Sequence, residues 1–322
     1  MNHSRRTFLT GAAGLAALTI QAAHPANAAS PGDAANGSAG DGTSLAVERE
    51  PFSVRSGDGT ALAGEAQGDS RAPEILFIHG LRQARLSWEK QFADPALAGF
   101  RMVSFDLRGH GDSDKPVSLD AYSDADHWAD DIAAVIDGAR LRRPVLVGWS
   151  LGGFVAGAYL RKYGGSKIAG INLIDAVTRF SPDLLTEESQ VFARTTISHD
   201  LAERTSATAD FLAACFYRQP TEKEMQRMLV VNGMTARAVN EGLMETETSD
   251  LEPVFRDYEG PILLTHGVHD RLVRIAMPER IKAIHANSRL SLFSESGHSP
   301  FYEEPERYGQ ELAAFVTAAN EG

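Results

Sequence analysis

Short apolar runs recur along this chain, and the stretches between them carry apolar residues at helical spacing. Ile75–Ile78, Met102–Phe105, Val145–Val147, Ile171–Ile174, Ile262–Leu264 and Leu290–Phe293 are short, predominantly apolar runs separated by helical segments. Each is predicted to be a strand buried on both faces. Phe52–Val54 and Ala61–Ala63 flank Gly57-Asp58-Gly59, the pattern of a β-hairpin with a glycine-containing turn. Trp128, Ile132, Val135, Ile136 and Ala139 recur at helical spacing, predicting an amphipathic helix over Ala125–Ala139. Further helices are expected around Leu86–Phe92, over Phe154–Tyr163, and at the end through Tyr308, Leu312, Phe315, Val316 and Ala319. Buried strands alternating with helices imply an α/β, doubly wound, mostly parallel sheet of about eight strands.

Two regions break the alternation. Between Ala176 and Tyr258 no strand run occurs, and the composition is helical, punctuated by Pro182, Pro220 and Gly233. It reads as a helical cap over about 177–257, inserted after the sixth strand. Its apolar residues, such as Phe180, Phe192, Phe211 and Met228, either pack the cap helices together or line a cavity. The other exception is the start. Ser4-Arg5-Arg6-Thr7-Phe8-Leu9 precedes a mildly apolar stretch and Ala26-Asn27-Ala28, a small-residue cleavage pattern. Residues 1–28 resemble a twin-arginine signal peptide, which implies the twin-arginine export machinery as a partner and a periplasmic or secreted product. The apolar stretch, interrupted by Thr19 and Gln21, is short of the ~20 residues that span a bilayer, so no stable membrane insertion is expected after cleavage. Residues 29–46, rich in Ala, Gly, Ser and Asp, are expected to be a disordered linker, and the folded domain to cover 47–322.

Charge and cysteine content narrow the function. A formal net charge of −12 argues against nucleic acid as a partner. The single cysteine, Cys215, cannot form an internal disulfide or a cysteine-based metal cluster. No phosphate-cradling glycine loop or metal-ligand spacing stands out, so neither cofactor nor metal is expected.

The strand Val145–Val147 runs directly into Gly148-Trp149-Ser150-Leu151-Gly152, and a helix follows. Such a turn lifts its central hydroxyl above the sheet edge, and small flanking residues make the corner sterically feasible. Ser150 is the candidate nucleophile. A serine hydroxyl needs a base within hydrogen-bond reach and an acid to orient that base. Asp270 and His298 each follow a predicted strand, in Gly267-Val268-His269-Asp270 and Gly297-His298-Ser299-Pro300. Carboxyl ends of parallel strands share one edge, so the three can converge. Asp175, at the end of the sixth strand, is the reserve acid.

This chain resembles the α/β-hydrolase family: in the order nucleophile, acid, histidine; in the elbow at Ser150; in His79-Gly80 after the third strand; in Gly109-His110-Gly111-Asp112-Ser113 after the fourth; and in a cap after the sixth. Phe105 to Pro116 is particularly similar to its serine esterases and cofactor-free haloperoxidase-like perhydrolases. The resemblance implies that the backbone amides of Leu81 and Leu151 form the oxyanion hole. It also implies an exported carboxylesterase acting on a small-molecule ester or lactone. Perhydrolysis or C–C bond hydrolysis on the same triad, and non-catalytic binding of an apolar ligand, are the alternatives. Trp149 and Phe301 are expected to wall the substrate pocket, with core packing as the other reading. His79, His110 and Asp106 read as loop braces, His266 and His269 as structural rather than metal ligands, and Glu303-Glu304-Pro305 as no more than a helix start.

Overall fold

The structure is a computed structural model, and it describes residues 49–321. The signal-peptide reading over residues 1–28 and the linker reading over residues 29–46 lie outside the described residues. One sheet of eight strands has the order β1-β2-β4-β3-β5-β6-β7-β8. The strands are β1 (Glu50–Arg55), β2 (Ala61–Gln67), β3 (Glu74–Ile78), β4 (Arg101–Phe105), β5 (Val145–Trp149), β6 (Gly170–Ile174), β7 (Ile262–Gly267) and β8 (Ser288–Phe293). β1 and β2 form the expected hairpin, with Arg55 opposite Ala61 and Gly59 at φ 89° in the turn. β2 also pairs antiparallel with β4, and every pairing from β4 through β8 is parallel.

The helices are α1 (Glu89–Phe92), α2 (Asp120–Ser123), α3 (Ala125–Gly138), α4 (Leu151–Tyr163), α5 (Glu187–Thr195), α6 (Leu201–Ala214), α7 (Glu222–Gly233), α8 (Arg237–Met244), α9 (Glu252–Asp257), α10 (Ala276–Ile284), α11 (Pro300–Glu303) and α12 (Pro305–Glu321). The helix expected around Leu86–Phe92 is a 3₁₀ turn over Arg85–Trp88 running into α1. α3 starts where the side chain of Asp124 accepts from the Asp126 amide, which satisfies one of the free amides of its first turn.

Alternation within the strands sorts the core into two layers. Leu76 and Ile78 of β3 face Trp128, Ile132 and Val135 of α3 and Phe154 and Val155 of α4. Ile75 and Phe77 face Trp88 and Phe92 on the other side, with Leu312 and Val316 of α12. Each buried aliphatic or aromatic side chain contributes about 1.5–3 kcal/mol, so these two layers are what hold the helices on the sheet. Helices α5 to α9 form the insertion after β6. Phe192, Leu212 and Phe216 from it pack with Leu272 and Val273, which follow β7. Its last helix belongs to the main core instead: Leu251 and Phe255 sit against Gly157 of α4, where a side chain would collide with both. Among the described residues no helix is long and apolar enough to cross a membrane.

Candidate active site

The sheet order sets the site. β4 lies to one side of β3 and β5 to the other, so the chain reverses direction across the sheet there, and a crevice opens at the carboxyl ends of β3 and β5. Ile78 is level with Gly148 in the ladder, which puts the loop after β3 beside Ser150. Ser150 itself sits at φ 54°, ψ −114°, a strained combination for a residue with a side chain. It persists because the surroundings leave no alternative. A Cβ at Gly148 would lie 2.5 Å from the Gly152 carbonyl oxygen, and one at Gly152 would lie 2.3 Å from that of Ile78. The Ser150 amide donates to Ile174 O at 2.9 Å, and its carbonyl accepts from Gly153 and Val177. Of the four non-glycine residues with positive φ among those described, Arg82, Ser150 and Asp175 all follow the carboxyl ends of neighbouring strands.

His298 and Asp270 meet. His298 Nδ1 lies 2.8 Å from Asp270 Oδ2, and both side chains are almost wholly buried. Asp270 Oδ1 accepts from the amides of Leu272 at 2.7 Å and Val273 at 3.1 Å. Burial alone would push this carboxyl up; the His298 charge and these hydrogen bonds more than offset it, and the carboxyl is held below its ordinary range. The same pairing outweighs burial at His298 and raises the imidazole. His298 is tied to the elbow by its main chain, whose carbonyl accepts from Trp149 Nε1 at 2.6 Å. Among the described residues, Ser150 Oγ has no hydrogen-bond partner in this structure.

Asp175 lies immediately behind. One oxygen each of Asp175 and Asp270 and a nitrogen of His298 all lie within 4.8 Å of one another, the group of described residues that could hold a metal ion. Asp270 Oδ1 and Oδ2 are already occupied by amides and imidazole, which leaves Asp175 Oδ2 as the unpartnered oxygen. Asp175 Oδ1 accepts from the Gly267 amide and lies 2.9 Å from His266 Nδ1, a contact without hydrogen-bond alignment. Burial, reinforced by the Asp270 charge and only partly offset by His266, pushes Asp175 up to about 6. His266 is thus the buried companion of Asp175, while His269 stacks on Tyr217 at 3.7 Å.

The loop after β3 is braced by two neutral imidazoles. His79 Nδ1 lies 2.7 Å from Gly80 O, and its Nε2 accepts from the Leu107 amide at 2.9 Å. His110 does the same between Arg108 O and the Arg82 amide. A ring that donates from one nitrogen and accepts at the other must be neutral, and burial pulls the two pKa values down to about 4 and about 3. Asp106 accepts from the amides of Arg85 and Asp112 and pairs with the Arg85 guanidinium, a brace between the same two loops. The amides of Leu81 and Leu151 have no main-chain acceptor among the described residues.

A cavity of about 520 Å³ opens on Ser150, lined also by Leu81, Leu151, Val177, Phe180 and Phe192. Trp149 and Phe301 do not line it. They border a separate space of about 190 Å³ and pack edge to face with each other, deep in the layer that holds Trp88. Both readings of these two rings hold in part: each is buried in the layer that holds Trp88, and each also borders this smaller space, which Phe216, Met228 and Val231 of the insertion line as well. Glu303 and Glu304 are the residues that the helix-start reading undervalued. Glu303 accepts from Gly297 N with one oxygen and from Tyr217 N and Arg218 N with the other; Glu304 accepts from Glu295 N and Ser296 Oγ. Together they clamp the loop carrying His298.

The chain matches the family described as alpha/beta hydrolase fold over residues 73–305 and belongs to that family. Its relatives include a bifunctional esterase/perhydrolase of Acinetobacter calcoaceticus, 30% identical over 82% of this chain and 98% of that protein. A non-heme haloperoxidase of Rhodococcus erythropolis is 28% identical over 83% of this chain and 99% of that one. Among solved structures, a candidate aryl esterase from Burkholderia cenocepacia superposes with a TM-score of 0.81 at 38% identity, covering 85% of this chain and all of that one.

Proposed function

We propose that this protein is a serine ester hydrolase working through an acyl-enzyme on Ser150. One observation carries the reading: a strained serine after β5 faces a large apolar cavity, while an imidazole anchored by a buried, ionised carboxylate is carried by the loop after β8 at the same edge of the sheet. Asp270 holds His298 as the tautomer with a proton on Nδ1, which leaves Nε2 free to take the Ser150 proton. That step requires Oγ to come within about 3.2 Å of Nε2, a contact that tightens when substrate binds. The alkoxide attacks an ester or lactone carbonyl, and the free amides of Leu81 and Leu151 receive the developing negative charge. The Leu151 amide has the added help of the α4 dipole. His298 then protonates the leaving alcohol and, in the second half, activates the water that releases the acid. The esterases among the relatives support this assignment, and the esterase/perhydrolase and haloperoxidase support a second one, acyl transfer to peroxide at the same serine.

Fluorophosphonate labelling of the intact protein with a panel of p-nitrophenyl esters, with and without Ser150→Ala, tests the assignment. The expected result is labelling confined to Ser150, a loss of about 10⁴–10⁶ in kcat on substitution, and a preference for short to medium acyl chains. An unlabelled, folded protein whose esterase activity survives Ser150→Ala would refute it. We further propose that the chain is exported by the twin-arginine route to the periplasm or beyond. Arg5→Lys with Arg6→Lys is then expected to keep it inside the cell on fractionation.

A further inference from the structure

The cavity at Ser150 is bordered by a cation with no counter-ion among the described residues. Arg82 lines it and is only 6% exposed. Its backbone is fixed, at φ 63° with its amide on His110 Nε2. Its side chain is not: Nε and Nη1 are buried without a hydrogen-bond partner, and among the described residues no carboxylate pairs with it. Other arginines nearby are treated differently. Arg108, fully buried, is bidentate to Asp131 and also meets Asp58, and Arg85 engages Asp106 and Asp112.

The neighbouring charges have the same sign. Burial first, then Arg204, lowers the Arg82 guanidinium to about 10, so it still carries its proton at neutral pH. Arg194, exposed, borders the same cavity. An unpaired buried cation costs several kcal/mol, and native interiors seldom keep one without use. The rest of the wall is apolar, with Val177, Phe180, Leu185, Phe192 and Phe211. The occupant these surfaces fit has an apolar body and one anionic end. A monoanion neutralises one guanidinium, whereas a dianion would bring a second buried charge into an apolar chamber, so the match is a carboxylate.

We propose that Arg82 selects esters or lactones that carry a free carboxylate on the same molecule, recognised by its guanidinium while the ester lies at Ser150. The proposal rests on the reading of Ser150 as nucleophile. Its test compares kcat/KM for monomethyl esters of the straight-chain dicarboxylates from succinate to suberate with neutral methyl esters of matched length. The native enzyme is expected to favour the acid-bearing series by about 10–100-fold, the worth of one charge-assisted contact. Arg82→Met should bring that ratio close to one, and Arg82→Lys should keep part of it. Using the ratio cancels any general loss of activity. A native ratio of one or less, or one unchanged by Arg82→Met, overturns the proposal. So does a monoalkyl phosphate inhibiting more tightly than the matched carboxylate. If no ester is turned over, the nucleophile reading fails separately, and calorimetry with free suberate decides the rest. Binding to the native protein that weakens at least tenfold in Arg82→Met upholds the carboxylate site, and equal or absent binding overturns it.

Discussion

Two aspartates, at the ends of adjacent strands and both wholly buried, behave in opposite ways. Asp270 after β7 accepts two amides on one oxygen and the His298 imidazole on the other, and its pKa is lowered. Asp175 after β6 accepts one amide, faces a poorly aligned His266, and leaves an oxygen bare; its pKa rises to about 6. Burial is the same for both, so burial does not decide how far each holds its proton. The donors do: a carboxylate with a full set of hydrogen bonds stays ionised to lower pH in a low-dielectric interior, and one without them takes up its proton already near pH 6. Two close carboxylates also resist being charged together.

The strongest way to break this contrast is Asp270→Asn. With Oδ2 replaced by an amide, His298 loses the partner that fixes its tautomer, and kcat is expected to fall about 10³–10⁴-fold. A loss under tenfold would mean that Asp175 takes over, and Asp175→Asn added to it would then abolish the remainder. Asp175→Asn alone is expected to reduce kcat less than tenfold while shifting the pH profile. His298 must be unprotonated to act as base, so kcat/KM falls as pH drops through its raised pKa. The Asp175 charge helps to raise that pKa, and removing it should move the acid limb to lower pH.

The smallest effect is on stability, and its sign differs between the two carboxyls. Asp175, with its pKa raised in the fold, contributes stability below the unfolded value near 3.8 that is lost as pH rises through about 6. Asp270, with its pKa lowered, contributes stability at higher pH that is lost as pH falls through its folded value. Asp175→Asn is therefore expected to melt higher than the native protein at pH above 6, by about 2–4 °C for each kcal/mol regained. Thermal melts across pH 4 to 8 would measure it. A native protein with the flatter profile would contradict the raised pKa of Asp175.

Much of this arrangement was legible in the residues. Continuous runs such as Ile75–Ile78 and Val145–Val147 mark buried parallel strands because side-chain alternation disappears when both faces are covered. Gly148 and Gly152 mark the elbow because no larger residue fits there. Asp270 and His298 could be located because each closely follows an apolar run, although the run before His298, expected to be buried on both faces, is the edge strand β8 with Leu292 exposed, since among the described residues no further strand or helix covers that side of it. Trp149 and Phe301 were ambiguous in the sequence because an aromatic beside a reactive residue can pack inward or border a pocket, and these two rings do both. Arg82 and Glu303 carried no local signal. The first is distinguished by the partner it lacks, and the second by contacts to residues 217 and 218, distant in the chain.

The Glu303 carboxylate has a consequence for how this molecule could change. One of its oxygens grips the peptide just before the base, and the other grips a bend of the inserted helical region. A variant that reshapes this bend to admit a bulkier guest would also disturb the perch of the imidazole. Breadth of diet and speed are thus yoked through one side chain, and evolution toward larger substrates would have to move that yoke first.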